Sequence, residues 1–243
     1  MGAIFRRELR AFFTSPLGYV VLAVFFAISG FYFFSFNLSV DEYNLYGRAD
    51  LSPVYDSLFS IVLLCLPFLT MRLFSEEKRQ KTDQALFTAP TGLTAIVLGK
   101  FFATLLLFII ALSITLVFAL VIALQPETTV DWMLVIGNYL GLALVGGMII
   151  SIGVFISSLT ESQIVAAMGT LAISMLLMCI DMMSTLFSGV AWLTSITNFL
   201  SILSRFSAFT AGLIYYDNVI FFLSLQALFL FLTVRVLDSK RWN

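Results

Sequence analysis

The residues best equipped for chemistry lie in one stretch, Ser75–Lys100, which reads SEEKRQKTDQALFTAPTGLTAIVLGK and carries Glu76, Glu77, Lys78, Arg79, Lys81, Asp83 and Lys100. Such a set serves phosphate binding, acid–base catalysis or recognition by charge. A nucleotide-hydrolysing loop requires G-x-x-x-x-G-K-(S/T), so that backbone N–H groups surround the phosphates and a hydroxyl meets magnesium. The nearest approach, Gly92 followed by Gly99-Lys100-Phe101, has six residues between its glycines and no hydroxyl after the lysine, so it takes no phosphate role. The chain has no histidine, which removes imidazole proton relays and the usual zinc sites. Cys65 and Cys179 both fall inside apolar runs, as small buried hydrophobes rather than a disulfide or a metal pair. With no grouping of acids, His or Cys arranged for hydrolysis, no catalytic and no metal-binding residue is assigned. Recognition by charge remains.

The charged stretch sits between apolar runs. Hydrophobic residues make up 60 % of the 243 and charged ones 11 %, and the runs reach the roughly 20 residues that cross a bilayer. Six crossings are expected, near Leu17–Phe36, Leu58–Phe74, Phe101–Leu124, Met133–Leu159, Ile164–Phe187 and Asn218–Leu237, the second containing Pro67. The expected fold is an all-α, multi-pass membrane protein forming a single domain over residues 1–243. A net charge of −1 offers no basic field for nucleic acid. Lys and Arg concentrate on cytoplasmic connections. With both termini placed inside, eleven of the 13 basic residues are cytoplasmic, and Arg48 and Arg205 are the two outside. The outer connections carry Asp41, Glu42, Asp50, Asp56, Glu127, Asp131 and Asp217 instead. Tyr19, Tyr215, Tyr216 and Trp242 lie near the expected boundaries and suit an interfacial aromatic belt.

Residues 1–15 read as an amphipathic helix, with Phe5, Leu9, Phe12 and Phe13 on one face and Arg6, Arg7 and Arg10 on another, which places it along the cytoplasmic surface of the membrane. Within 75–92 the composition suits a helix from Glu76 to Phe87, its acids at the start where the helix dipole favours them. Glu77 and Lys81 are spaced to pair along it, and Pro90 and Gly92 close it. Two readings are open on spacing alone. The stretch is a solvated hairpin whose charges set topology, or it is a docking element gripped by another protein.

The order of features resembles the type-2 ABC exporter permeases. A basic surface helix ends in TSPLGY (Thr14–Tyr19), a second span ends in RLFSEEKRQKTDQALFTAP, and TGLTAIVLGKF leads into the third. The pattern in that family is E-E-(R/K)-x-x-G-T-x-(E/D)-x-L-L-x-x-P, followed by G-K-(F/Y). Glu76, Glu77, Lys78, Thr82, Leu86, Pro90, Gly99, Lys100 and Phe101 match it, while Lys81 replaces the frequent Gly, Asp83 falls one place from the usual acid and Phe87 stands for Leu. The tail Leu203–Trp242 is similar to the gliding-motility-associated ABC permeases.

The resemblance implies that residues 75–92 form a coupling helix, in which Glu76, Glu77, Lys78, Arg79, Thr82, Asp83, Leu86 and Pro90 contact a separate cytoplasmic ATPase. Two such subunits would use ATP and magnesium, and this chain would bind no cofactor and not be an enzyme on its own. It further implies a second permease subunit, identical or related, and short external helices within 188–217. A periplasmic or membrane accessory protein and the lipid bilayer complete the partners, in a bacterial cytoplasmic (inner) membrane.

Four residues are candidates for a transport path: Asp181, Arg205, Gly146 and Gly147. Asp181 is the one ionisable residue well within an apolar run, near its outer end, and an intramembrane charge is a functional candidate by default. It also marks where that helix meets water, and Arg205 is a candidate ion partner. The fourth span carries Gly137, Gly141, Gly146, Gly147 and Gly153 with Ser151, Ser157 and Ser158. Small residues there let helices pack closely, with lining of a path as the lesser reading. Two other classes of function compete with an ATP-driven exporter: a secondary transporter, which would place charges at mid-membrane, and a scaffold that recruits an ATPase without transporting.

Overall fold

A computed structural model describes residues 2–37, 48–49, 51–82, 92–124, 129–186 and 201–242. Nine helices run through them: α1 (Gly2–Thr14), α2 (Pro16–Asn37), α3 (Ser52–Thr70), α4 (Arg72–Arg79), α5 (Leu93–Ala123), α6 (Trp132–Leu159), α7 (Gln163–Leu186), α8 (Ile202–Thr210) and α9 (Tyr216–Trp242). Among the described residues six stretches are long and apolar enough to cross a membrane: α2, α3 with α4, α5, α6, α7 and α9. Two-residue strands β1 (Arg48–Ala49) and β2 (Thr129–Val130) pair in parallel, Arg48 opposite Thr129.

Local chemistry sets several helix ends. Pro16 opens α2 and Pro53 opens α3, positions where the missing N–H has no helical partner to lose. The Asp131 carboxylate caps α6 by accepting from Met133 N at 3.1 Å, and the Ser201 hydroxyl caps α8 by accepting from Ser204 N at 3.2 Å. The spans depart from the expected limits where polar residues enter the helices. The second begins at Ser52 rather than Leu58, taking Asp56 into its early turns. The third begins at Leu93 rather than Phe101, taking Lys100 inside the helix. Hydropathy puts that lysine at a loop border, whereas its ammonium is held by α1 and α4.

Helix α6 is the centre of the bundle, with α3, α4, α5, α7, α8 and α9 all packed on it. Its membrane-length window is 78 % buried against 11 % for α2. Between helices already surrounded by hydrocarbon, burial of apolar surface adds little, and close van der Waals approach does the work. Gly146 provides it most sharply, since a Cβ there would fall 2.0 Å from the Phe108 ring of α5. Gly147 faces Gln226 of α9, whose amide donates to Leu144 O at 3.1 Å.

The connections sort to two ends. The β1–β2 pairing joins the α2–α3 and α5–α6 connections, and Ser52 Oγ donates to Thr210 O at 3.3 Å, bringing the residues after α8 to the same end. There Arg205 donates to Asn218 Oδ1 at 2.9 Å, approaches Asp217 at 3.9 Å and stacks over Phe221 at 4.2 Å. The backbone of Asp181 is helical within α7, and its side chain lies outside the described residues. At the opposite end gather α1, α4, the start of α5 and the close of α6.

Candidate functional site

That second end holds a charge cluster built by three helices. On α1, Phe5 and Leu9 are half-buried and Phe12 is buried, while Arg6, Arg7 and Arg10 are exposed, so the helix presents one apolar face to α2 and α5. Glu8 lies on the inward side. On α4, Leu73, Phe74, Ser75 and Lys78 are buried, against α6 and α7. Helix α4 is therefore not the polar-all-round element expected of a helix that only a partner would stabilise; one side of it is packed within its own chain.

Lys100, 1 % exposed, joins the three helices. Its ammonium donates to Leu73 O at 2.6 Å and to Glu8 Oε1 at 3.1 Å, and it pairs with Glu77 Oε1 at 3.0 Å. The Phe74 ring lies 5.0 Å below it. Three acceptors and an aromatic face replace the water that a buried ammonium loses. Arg7 Nη2 reaches both Glu8 and Glu77 at 2.7 Å. Partial burial works against the Arg7 charge, but the hydrogen bonds and charges of Glu8 and Glu77 outweigh it and raise its pKa. Arg72 pairs with Glu76 at 2.9 Å and donates to Ser15 Oγ at 2.6 Å, tying the α1–α2 junction to α4. Lys78 donates to the carbonyl of Ser158 on α6.

Helix α4 ends at Arg79, well before Phe87. Thr82 N bonds to Glu77 O at 2.9 Å and Lys81 N to Lys78 O at 3.0 Å, while Lys81 adopts φ 56°. That is a left-handed helix terminus, the conformation glycine fills most easily, and Lys81 is the position at which the resembled pattern carries Gly. The turn also removes Lys81 from helical register with Glu77, whose carboxylate is taken by Arg7 and Lys100 instead.

Of the residues singled out in the charged segment, Glu76, Glu77 and Lys78 are thus engaged within the chain, and Arg79 and Thr82 are exposed. Asp83, Leu86 and Pro90 lie outside the described residues. A cleft of about 370 Å³ opens between α1 and α4, lined among others by Arg7, Arg72 and Lys100 and by Glu8, Glu76 and Glu77. Its acids and bases balance in number, which suits a polar protein surface better than a free anion or cation. Glu8 belongs to this end and carries no local signal in the sequence, while Ser157 is legible there as a small packing residue but not as the partner of Phe74 N, Ser75 N and Met71 O. Lys100 did carry one, the G-K-(F/Y) spacing after the acidic pair, which the fold accounts for by bringing the two halves of the pattern into one ion pair.

Residues 2–236 match the family model described as ABC-2 family transporter protein. The chain belongs to the ABC-2 transporter family. The match covers all six candidate spans nearly to the end of α9, together with α1 and α4. No curated protein matches the chain. As a member of the ABC-2 family it is a membrane transport component, and the charge cluster joins the first, fourth and fifth helices of that transporter domain.

Proposed function

We propose that this ABC-2 protein is the permease subunit of an ATP-driven exporter in a bacterial cytoplasmic membrane, with both termini cytoplasmic. It would pair with a second permease chain, identical or related, and receive force from two cytoplasmic ATPase subunits that use ATP and magnesium. The observation that carries this reading is the mounting of α4. Its inner side is fixed by Glu77–Lys100 and Lys78–Ser158 while Arg79 and Thr82 are exposed on its outer side. A helix so held transmits displacement to the bundle rather than yielding locally, and its free edge is available to a partner. Likeness of the tail 203–242 to the gliding-motility-associated permeases supports that subfamily as the finer assignment. Path residues under this reading include Asp181, Arg205, Gly146 and Gly147.

The test is co-purification from membranes of the full chain with a cytoplasmic ABC ATPase subunit. Arg79→Glu, alone and with Thr82→Glu, changes exposed groups and spares the buried pairs. The expected result is normal insertion with loss of the ATPase. Undiminished co-purification of the double variant would refute α4 as the docking edge.

A further inference from the structure

Where α3 passes into α4 the helix is interrupted, and the interruption is filled from α6. Pro67 sits inside α3 and supplies no N–H to the ladder. Met71, between the two helices, offers α4 no side-chain cap. Ser157 of α6 takes that role from across the interface. Its hydroxyl accepts from Phe74 N at 3.0 Å and Ser75 N at 3.1 Å and donates to Met71 O at 3.2 Å, which uses both its lone pairs and its proton. Before it along α6, Gly153 lets Thr70 approach so closely that a Cβ would meet Thr70 Oγ1 at 2.1 Å. Just after it, Ser158 O receives Lys78. Thr70, Ser75 and Ser157 are all fully buried.

We propose that Ser157 is a positioning residue for coupling. It fastens the α3–α4 break to α6, so that a displacement of α4 carries the end of α6 with it instead of bending the chain at Met71. The inference rests on the reading of α4 as the element an ATPase displaces. A hydroxyl is required because two buried N–H donors, Phe74 N and Ser75 N, converge on it and an apolar side chain would leave both unmatched, whereas Met71 O also accepts from Ser75 Oγ. Freed of that tie, a helix with a proline one turn back has a ready hinge. Motion entering at α4 then reaches the central helix, on which most of the bundle is packed.

The experiment uses the full chain with its ATPase in lipid nanodiscs, with Cys65→Ala and Cys179→Ala and spin labels at Gln80→Cys, the residue that follows α4, and Glu161→Cys just beyond α6. Label separation is measured without nucleotide and after trapping with ATP and vanadate. The separation is expected to stay the same in the Ser157 background and with Ser157→Thr. With Ser157→Ala and Ser157→Val it shifts or broadens on trapping, while ATP hydrolysis continues. Thr and Val share a shape, so their difference isolates the hydroxyl from any packing effect. A separation that changes on trapping in the Ser157 background, or one that Ala and Val leave unchanged, overturns the inference. If the ATPase fails to co-purify with the unsubstituted chain, the permease reading itself is lost, an outcome read before any label is measured.

Discussion

Lys100 Nζ lies 3.0 Å from Glu77 Oε1 in a setting where the lysine is 1 % exposed, so a buried ion pair joins the early turns of α5 to the charged helix α4. Removing one partner of a buried pair leaves the other charge without its counter-ion, which costs far more than the pair contributes. Lys100→Met strips the ammonium from both Glu8 and Glu77. It is expected to destabilise the protein by about 3–5 kcal/mol, seen as a lowered thermal midpoint in detergent. Adding Glu77→Gln should recover part of that loss, because one of the orphaned carboxylates is then neutral while Glu8 keeps Arg7. A double variant no more stable than Lys100→Met would show that the two residues do not act as a pair.

Lys81 holds a left-handed backbone at φ 56°, which costs a residue with a Cβ about 1 kcal/mol relative to glycine. The side chain is exposed and makes no part of the buried cluster. Lys81→Gly should therefore stabilise the end of α4. Amide exchange over residues 72–82 is the direct reading, slower in the variant by about fivefold for that energy. Faster exchange would mean that glycine's added freedom in the unfolded chain outweighs the relief.

How far this arrangement was legible in the amino-acid order depends on whether a signal was local. The six apolar runs and the amphipathic face of α1 are local, and the helices follow them. The start of α3 at Ser52 was hidden because Asp56 lowers the hydropathy of its early turns, and Lys100 hid the start of α5 in the same way. The inner side of α4 was hidden for a different reason. Its Glu77 reads as solvent-facing until the residues that neutralise it, Arg7 and Lys100, arrive from elsewhere in the chain. The Ser157 hydroxyl is the extreme case, since three hydrogen bonds to a distant helix leave no mark on its neighbours in sequence.

Gly153 faces Thr70 with no room for a methyl group, its Cβ position lying 2.1 Å from Thr70 Oγ1 and 2.5 Å from Thr70 Cβ. Gly153→Ala should force α3 and α6 apart at a cost of about 1–3 kcal/mol. Thr70 spends its hydroxyl on Leu66 O and Pro67 O within its own helix, so shortening it sacrifices no bond between helices. The double variant Gly153→Ala with Thr70→Ala is expected to melt above Gly153→Ala alone. Equal melting of the two would place the strain elsewhere.

The distribution of basic residues and the gathering of the connections at two ends make one joint prediction about sidedness. Gln80 lies at the end with Arg6, Arg7, Arg10, Arg72 and Lys78, whereas Leu213, half exposed after α8, lies at the end where Ser52 meets Thr210. Positive charge is retained on the cytoplasmic side during insertion, so these two positions should be on opposite faces. In a background with Cys65→Ala and Cys179→Ala, Leu213→Cys is expected to react with a membrane-impermeant maleimide in intact spheroplasts. Gln80→Cys should react in inside-out vesicles only. Labelling of Gln80→Cys from outside would reverse the molecule, put α4 beyond the reach of any cytoplasmic ATPase and remove the basis for coupling through it.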